Sequence, residues 1–171
     1  IRKWTLLPTN ARVQYEHLTE KQPELLRRAE TSAYNELRLA GKRGVIACGI
    51  TENYLLENLD EDHDLSLLSI RQYPMPADKI RELVGHVDEL LVVEDGYPLV
   101  ESAIRGLFGV GNVRLNGRMT GELPRTGELN PDLLRSALGL EPRPTARDAA
   151  GHLATRPPAL CKGCPHTDSF R

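Results

Sequence analysis

Val45-Ile46-Ala47-Cys48-Gly49-Ile50-Thr51 is the stretch that decides the fold, because it joins a strand signal directly to a helix signal. β-Branched residues favour strands, and the run ends at Gly49. Thr51 is placed to cap a helix by accepting backbone N–H groups. That helix would carry apolar residues at Tyr54, Leu55, Leu56 and Leu59. The stretch therefore predicts one short strand followed at once by one helix.

The same unit recurs along the next part of the chain. Leu65–Ile70 is a second apolar run, and Leu90–Val93 is uniformly apolar, as in a strand covered on both faces. Val113–Leu115 is a weaker fourth run before the turn signal Asn116-Gly117. Helical spacing separates these runs, at Ile80, Leu83, Val84 and Val87 and again at Val100, Ile104, Leu107 and Phe108. The alternation predicts an α/β layered sheet with helices on both faces.

The segments on either side of this body have a different character. Residues 1–41 predict a charged helical arm that starts at Pro8-Thr9-Asn10, with Thr9 or Asn10 as its cap. Pro23 suits the first turn of a second helix. The apolar stripe of that helix ends before Gly41 and consists of Leu25, Ala29, Ala33, Leu37 and Ala40.

The α/β body is predicted over residues 42–140. Asn130-Pro131 signals the start of its last helix, because Asn is a good cap and proline fits the first turn. Gly139 is placed to end that helix. Residues 141–158 predict a proline-rich linker.

Composition excludes several classes of function. The 171 residues are 40% hydrophobic and 27% charged, which is ordinary for a soluble globular protein. A net charge of −2 gives no electrostatic argument for binding nucleic acid or a membrane surface, and no apolar run approaches the ~20 residues that cross a bilayer. Three cysteines do not make a disulfide framework, so a reducing, cytoplasmic compartment is expected.

Ligands of open parallel sheets bind beyond the carboxyl ends of the strands. None of those ends carries a glycine-rich phosphate loop in this sequence. Glu94-Asp95, after the third run, would suit a cation site or proton transfer. The simpler interpretation is a pair of acids near a helix N-terminus, where the helix dipole favours them. Cys48 is interpreted as a small buried apolar residue.

Cys161-Lys162-Gly163-Cys164 is the other chemical signal, and it follows Pro157-Pro158. Two thiolates at this spacing can hold one metal ion or one edge of a cluster. They are only half of a site, and nothing after them completes it. The chain also begins at Ile1 and ends at Arg171. We therefore expect a segment of a larger protein, with metal ligation and an incidental cysteine pair as open alternatives.

Several segments, in the same order along the chain, carry a family resemblance. They are Thr9-Asn10-Ala11-Arg12, Gly44–Tyr54, Tyr73-Pro74-Met75-Pro76, Leu91–Asp95, Gly127–Asp132 and Arg156–His166. Together they resemble the large (alpha) subunit of indolepyruvate ferredoxin oxidoreductases. This is a family of thiamine-diphosphate-dependent 2-oxoacid:ferredoxin oxidoreductases, and the chain resembles its middle domain.

The resemblance implies a fold and a reaction. The body would resemble the transketolase C-terminal domain, a three-layer sandwich around a mixed, mostly parallel five-stranded sheet, which acts as a structural and interface element. The parent enzyme would oxidatively decarboxylate aryl pyruvates to acyl-CoA, using thiamine diphosphate, Mg²⁺, [4Fe–4S] clusters and coenzyme A. Its partners would be a beta subunit, ferredoxin and the other domains of the same chain.

The resemblance also assigns roles to individual residues. Residues 159–171 would be the start of a truncated thiamine-diphosphate-binding domain. Within them, Cys161 and Cys164 match the first two cysteines of the family's motif, which implies ligation of a cluster. The diphosphate-binding motif and the acidic residue that activates thiamine have no counterpart in this sequence. The segment is therefore expected to bind no cofactor and to be inactive alone.

Two other hypotheses remain open. The first is a stand-alone α/β ligand-sensing or interaction module in which Cys161 and Cys164 form a metal clip. The second is a small thiol-redox protein, which predicts a thiolate of low pKa at Cys161.

Overall fold

The computed structural model describes residues 7–60, 62–143, 160 and 162–164, and all that follows concerns these residues. They form one five-stranded sheet with the order β1-β3-β2-β4-β5. The strands are β1 (Leu37–Arg38), β2 (Arg43–Cys48), β3 (Ser66–Ile70), β4 (Glu89–Val93) and β5 (Arg114–Asn116). β1 pairs antiparallel with β3, and the other neighbours are parallel. The predicted mixed, mostly parallel five-stranded sheet is thereby confirmed.

Helices cover both faces of this sheet. They are α1 (Pro8–Thr31), α2 (Thr51–Leu56), α3 (Ala77–His86), α4 (Leu99–Ala103) and α5 (Pro131–Ala137). A single π-helical turn, Ile104–Phe108, continues α4. α2 and α5 pack on one face, α3 and α4 pack on the other, and α1 contacts α3. The architecture is a three-layer sandwich that is consistent with a transketolase C-terminal-like fold.

Two apolar clusters explain why the strands are almost uniformly hydrophobic. Along β2, Ile46 belongs to the cluster under α3 and α4, whereas Val45 and Ala47 belong to the cluster under α2 and α5. Successive side chains of a strand point to opposite faces, so a strand covered on both faces needs apolar residues throughout. The same alternation places Leu90 and Leu91 of β4 in different clusters.

The chain path creates a switch point at the centre of the sheet. α2 leads from β2 to β3 on one side, and α3 then leads from β3 back across β2 to β4 on the other side. The connections that leave neighbouring strands β2 and β4 therefore run over opposite faces. In open α/β sheets the crevice at such a point, beyond the carboxyl ends of the strands, is where ligands bind.

The N-terminal arm differs from its prediction in four ways. α1 is one helix with Pro23 inside it, and it ends at Thr31 rather than near Gly41. Its N-cap is Leu7, without a side-chain cap, so the predicted capping by Thr9 or Asn10 is wrong. Leu37, predicted in a helix, lies in β1.

Asn35 supplies the physical reason for the early end of α1. Its side-chain amide donates to Ala29 O at 3.0 Å and to Gln72 O at 2.8 Å, and its oxygen accepts from the N–H of Arg71. These buried bonds turn the chain into the sheet. Tertiary hydrogen bonds of this kind override the helical spacing of a short apolar stripe.

The signals for the last helix are confirmed. Asn130 caps α5 by accepting the N–H of Leu133 at 2.9 Å, and Pro131 occupies its first turn. Gly139 follows the helix with a φ of 71°, a conformation that glycine adopts without steric strain. No helix in the described part of the chain is long and apolar enough to cross a membrane.

We expect Leu68→Ala to lower the free energy of unfolding by about 2–5 kcal/mol, because it leaves a cavity in a close-packed cluster. Leu68 is fully buried in β3. Leu56→Ala, at a side chain that is 48% exposed, should change stability by less than about 0.5 kcal/mol. Urea unfolding measures the free energy of unfolding of each variant. Equal losses of stability in the two variants would contradict the two-cluster core.

Candidate functional site

Thr51 fills the switch point between β2 and β4. Its Oγ1 accepts the N–H of Cys48 at 2.9 Å and lies 2.7 Å from Val93 O, to which it donates. Thr51 is fully buried. The hydroxyl therefore joins the carboxyl ends of the two central strands at the place where a ligand of this fold class would enter. The predicted role of Thr51 as a cap is wrong, since the N-cap of α2 is Ile50 and no side chain caps that helix.

Glu94 closes the same crevice from β4. Its buried carboxylate accepts the N–H of Val100 at 2.9 Å and the N–H of Glu101 at 3.0 Å. Burial raises the pKa of Glu94 above its ordinary value and the charge of Glu101 adds to the rise, although the backbone N–H groups oppose it. Glu94 is thus an acid at a helix N-terminus, as the simpler interpretation of the sequence predicted.

Arg118 binds Asp95, the second acid of the Glu94-Asp95 pair. Sequence reasoning did not single out Arg118. Its guanidinium is almost fully buried and donates from Nη2 to Asp95 Oδ1 at 3.0 Å. The same group donates from Nε to Glu94 O and from Nη1 to Pro124 O, both at 2.9 Å. Arg118 therefore fastens residues 117–127 to the end of β4. The only signal in the sequence was a charged residue directly after the turn at Asn116-Gly117.

Glu52 and Arg71 form a second ion pair at the same edge of the sheet. Both nitrogens of the Arg71 fork donate to the Glu52 carboxylate, and Ser69 Oγ donates to Glu52 Oε1 at 2.7 Å. Burial alone would raise the pKa of Glu52. The bonds from Arg71 and Ser69 and the positive charge of Arg71 outweigh burial and hold that pKa below its ordinary value.

Cys48 lies between these groups as a buried thiol. Burial, reinforced by the nearby Glu94 charge, raises the pKa of Cys48 to about 12, although a side-chain hydrogen bond with Tyr73 opposes the rise. The thiol is therefore protonated at neutral pH, and a protonated thiol is neither a good nucleophile nor a metal ligand. This agrees with the interpretation of Cys48 as a small buried residue.

The predicted metal pair is only partly within the described residues. Cys161 lies outside them, and Cys164 is a half-buried free thiol. Among the residues that the structure describes, no group of three or more His, Cys, Asp or Glu side chains is arranged to hold a metal ion. The assignment of Cys161 and Cys164 as ligands stays a prediction.

Comparison with known proteins identifies relatives over nearly the whole chain. The chain is 34% identical to indolepyruvate oxidoreductase subunit IorA of Methanothermobacter thermautotrophicus over 170 residues, which cover 94% of this chain. It is 33% identical to the subunit of the same name from Archaeoglobus fulgidus over 183 residues, covering 96% of this chain. This chain is homologous to one segment of IorA. The family resemblance predicted from the sequence is thereby confirmed.

The match is to a portion of these relatives. In both, and in the IorA of Methanothermobacter marburgensis at 32% identity, it spans 28% of the relative's length. No protein-family model matches the chain, and no solved structure matches it. The relatives are thus named as subunits of an oxidoreductase, and this chain matches one portion of them.

A diphosphate does not fit the switch point of this IorA-like segment. The helix N–H groups that would face an anion there already bind the Glu94 carboxylate, whose negative charge would repel a diphosphate. The Thr51 hydroxyl is likewise bound to both strands. The switch point therefore does not offer free hydrogen-bond donors to a diphosphate.

We expect Arg118→Met to lower the free energy of unfolding by about 3 kcal/mol, because it removes the buried guanidinium that donates to three backbone carbonyl groups and to the exposed Asp95 carboxylate. Arg81→Met, in an exposed pair with Asp78, should change stability by less than about 1 kcal/mol. Denaturant unfolding of both variants at neutral pH measures the two changes in the free energy of unfolding. A loss at Arg118 no larger than at Arg81 would contradict the anchoring role.

We expect the stabilisation by Glu52 to depend on pH. Because its pKa is lower in the fold than in the unfolded chain, the contribution is present at neutral pH and is lost as pH falls through the folded pKa. Glu52→Gln should therefore lower the free energy of unfolding by about 1–2 kcal/mol at pH 7 and by progressively less below about pH 4.5. Glu24→Gln, in an exposed pair, is the matched control. A pH-independent difference at Glu52 would refute the assignment.

Proposed function

We propose that this chain is a segment of the large subunit of an indolepyruvate-type 2-oxoacid:ferredoxin oxidoreductase, in which it serves as a structural and interface domain. The observation that carries the proposal is the homology to IorA over nearly the whole chain. The filled switch point supports the structural role, because Thr51 and Glu94 use the groups that a ligand would need. On this proposal the segment is inactive alone.

The proposed reaction of the longer protein is the oxidative decarboxylation of aryl pyruvates to acyl-CoA with reduction of ferredoxin. Thiamine diphosphate, when bound, stabilises the negative charge left as CO₂ departs. In this proposal Mg²⁺ and the thiamine cofactor bind outside the segment, and coenzyme A is the co-substrate. The beta subunit, ferredoxin and the other domains of the same chain are the proposed partners, in the cytoplasm.

The proposed domain organisation places the described body between two other parts of the subunit. In this proposal residues 1–41 are the N-terminal arm, which is helical over Pro8–Thr31, residues 42–140 are the α/β domain, residues 141–158 are the linker, and residues 159–171 are the start of the thiamine-diphosphate domain. Leu37–Arg38 pairs with β3, so the end of the arm contributes the edge strand of the sheet. The arm and the body are thus connected by backbone hydrogen bonds.

Cys161 and Cys164 are the proposed contribution of this segment to electron transfer. Thiolates at this spacing suit two corners of a [4Fe–4S] cluster. The remaining ligands would come from other parts of the longer protein. Cys48 does not contribute, because it is buried in the sheet as a protonated thiol.

The longer protein, purified without oxygen together with its beta subunit, tests this proposal. We expect bound thiamine diphosphate, iron, and dye reduction that requires both an aryl pyruvate and coenzyme A. The double variant Cys161→Ala/Cys164→Ala should lose the iron of one cluster, because two thiolate ligands are removed. Cys48→Ala is the matched control and should retain all of the iron.

Three outcomes would contradict the proposal. A longer protein with neither thiamine diphosphate nor iron and without ketoacid-dependent dye reduction would exclude the oxidoreductase. A metal-dependent dimer that a chelator splits would favour the interaction module with a cysteine metal clip. A strongly pH-dependent alkylation of Cys161, with a low pKa, would favour the thiol-redox protein instead.

A further inference from the structure

Large apolar side chains are exposed along one edge of the sheet, and every strand contributes at least one. The edge is the one formed by the carboxyl ends of β2, β3, β4 and β5. β1 runs antiparallel, so its start lies at this edge. We call the set the carboxyl-edge patch, and it consists of Tyr34, Ile50, Tyr73, Tyr97, Leu99 and Met119, which are between 49% and 71% exposed.

The patch is assembled on a fixed platform rather than on free loops. Tyr73 shares a hydrogen bond with the buried Cys48. The Arg125 guanidinium lies 5.6 Å from the centroid of the Tyr97 ring. Met119 donates its N–H to Glu101 Oε2 at 3.0 Å and accepts from Ser102 Oγ through its sulfur at 3.4 Å. Side chains held in this way lose little conformational freedom when a partner covers them.

Two carboxylates at this edge are already paired within the chain. Glu52 binds Arg71, and Asp95 binds Arg118. A partner that covered the patch would therefore leave these carboxylates with their cations. The cores of interfaces are depleted in unpaired charges and enriched in tyrosine and methionine.

The opposite edge of the sheet has a different composition. Its loops are rich in exposed charged side chains, among them Arg43, Asp60, Asp62, Asp64 and Arg114. Three of the five tyrosines of the chain lie on the carboxyl edge instead. Among the described loops of the sheet, the exposed tyrosines therefore lie on the carboxyl edge, whereas Leu39 and Leu140 are the exposed apolar side chains of the opposite edge.

The size of the patch indicates what covers it. Six large side chains that are about half exposed amount to several hundred Å², which is about the largest apolar patch that a monomeric protein usually shows to water. Interfaces between domains of one chain bury roughly 600–1,500 Å². The patch would thus supply the apolar centre of such an interface.

The occupant follows from the length of the relatives. This chain spans 28% of the IorA subunits that it matches, so most of such a polypeptide lies outside it. We propose that the carboxyl-edge patch is the surface on which another domain of the same IorA-type polypeptide docks. The inference rests on the proposed function, and it names the surface through which the interface domain acts.

Cysteine labelling in the longer protein tests this assignment. Met119→Cys places a thiol in the patch at a side chain that is 49% exposed, and Leu56→Cys places one outside it at a side chain that is 48% exposed. Each thiol is alkylated in the native longer protein with its beta subunit, and the labelled peptides are quantified by mass spectrometry against the unfolded protein. We expect the thiol at position 119 to react at least about tenfold more slowly than the thiol at position 56, because the docked domain must open first.

Other results would overturn the inference. Equal rates at the two positions would show that the patch is open to solvent. Protection that falls on dilution would assign the patch to a second copy, and protection lost when the beta subunit is removed would assign it to that subunit. Should the variant at position 119 fail to fold, Ile50→Cys, at a side chain that is 51% exposed, replaces it with the same control.

The same preparation separates this inference from the proposed function. Ketoacid-dependent dye reduction without protection at position 119 would leave the oxidoreductase standing and refute the docking surface. Protection without thiamine diphosphate, iron or dye reduction would support an inter-domain surface and refute the oxidoreductase.

Discussion

The bond between the Thr51 hydroxyl and Val93 O is the contact on which the carboxyl edge of the sheet depends. It ties the end of β2 to the end of β4 at the point where the chain path reverses direction across the sheet. Because the hydroxyl also accepts the N–H of Cys48, the first turn of α2 is fixed against both central strands. The crevice that this fold class usually offers to a ligand is consequently part of the core.

Each buried charge near this contact has a specific partner. Glu101 binds Arg105 and accepts the N–H of Met119, and the carboxylate leaves room for only a glycine at position 117. Buried charges are costly unless hydrogen bonds compensate them. No side-chain nitrogen or oxygen atom buried in the described residues lacks a hydrogen-bond partner. These networks fix the positions of the loops rather than add much net stability, because desolvation offsets most of the attraction between the charges.

The sequence predicted the α/β class because strand and helix signals alternate regularly, and it predicted α5 because Asn130 and Gly139 act through local backbone chemistry. It did not predict the end of α1, which is set by hydrogen bonds between Asn35 and residues 36 and 37 positions further along the chain. The role of Arg118 was missed for the same reason, since its closest carboxylate, Asp95, is 23 positions away. Contacts between distant segments leave no periodic signal in a sequence. The family resemblance supplied the fifth, antiparallel strand, because two residues are too few for a recognisable pattern.

A filled switch point and an exposed apolar edge are two consequences of one arrangement. The polar groups at the strand ends turn inward: Thr51 binds the strands, Glu94 binds the start of α4, and Arg118 binds the loop after β5. Large apolar side chains from the same loops are left on the outside, where water does not stabilise them. Burying such a surface against another protein surface is favourable in proportion to its apolar area. An edge built in this way suits the joining of domains better than the binding of a small polar ligand.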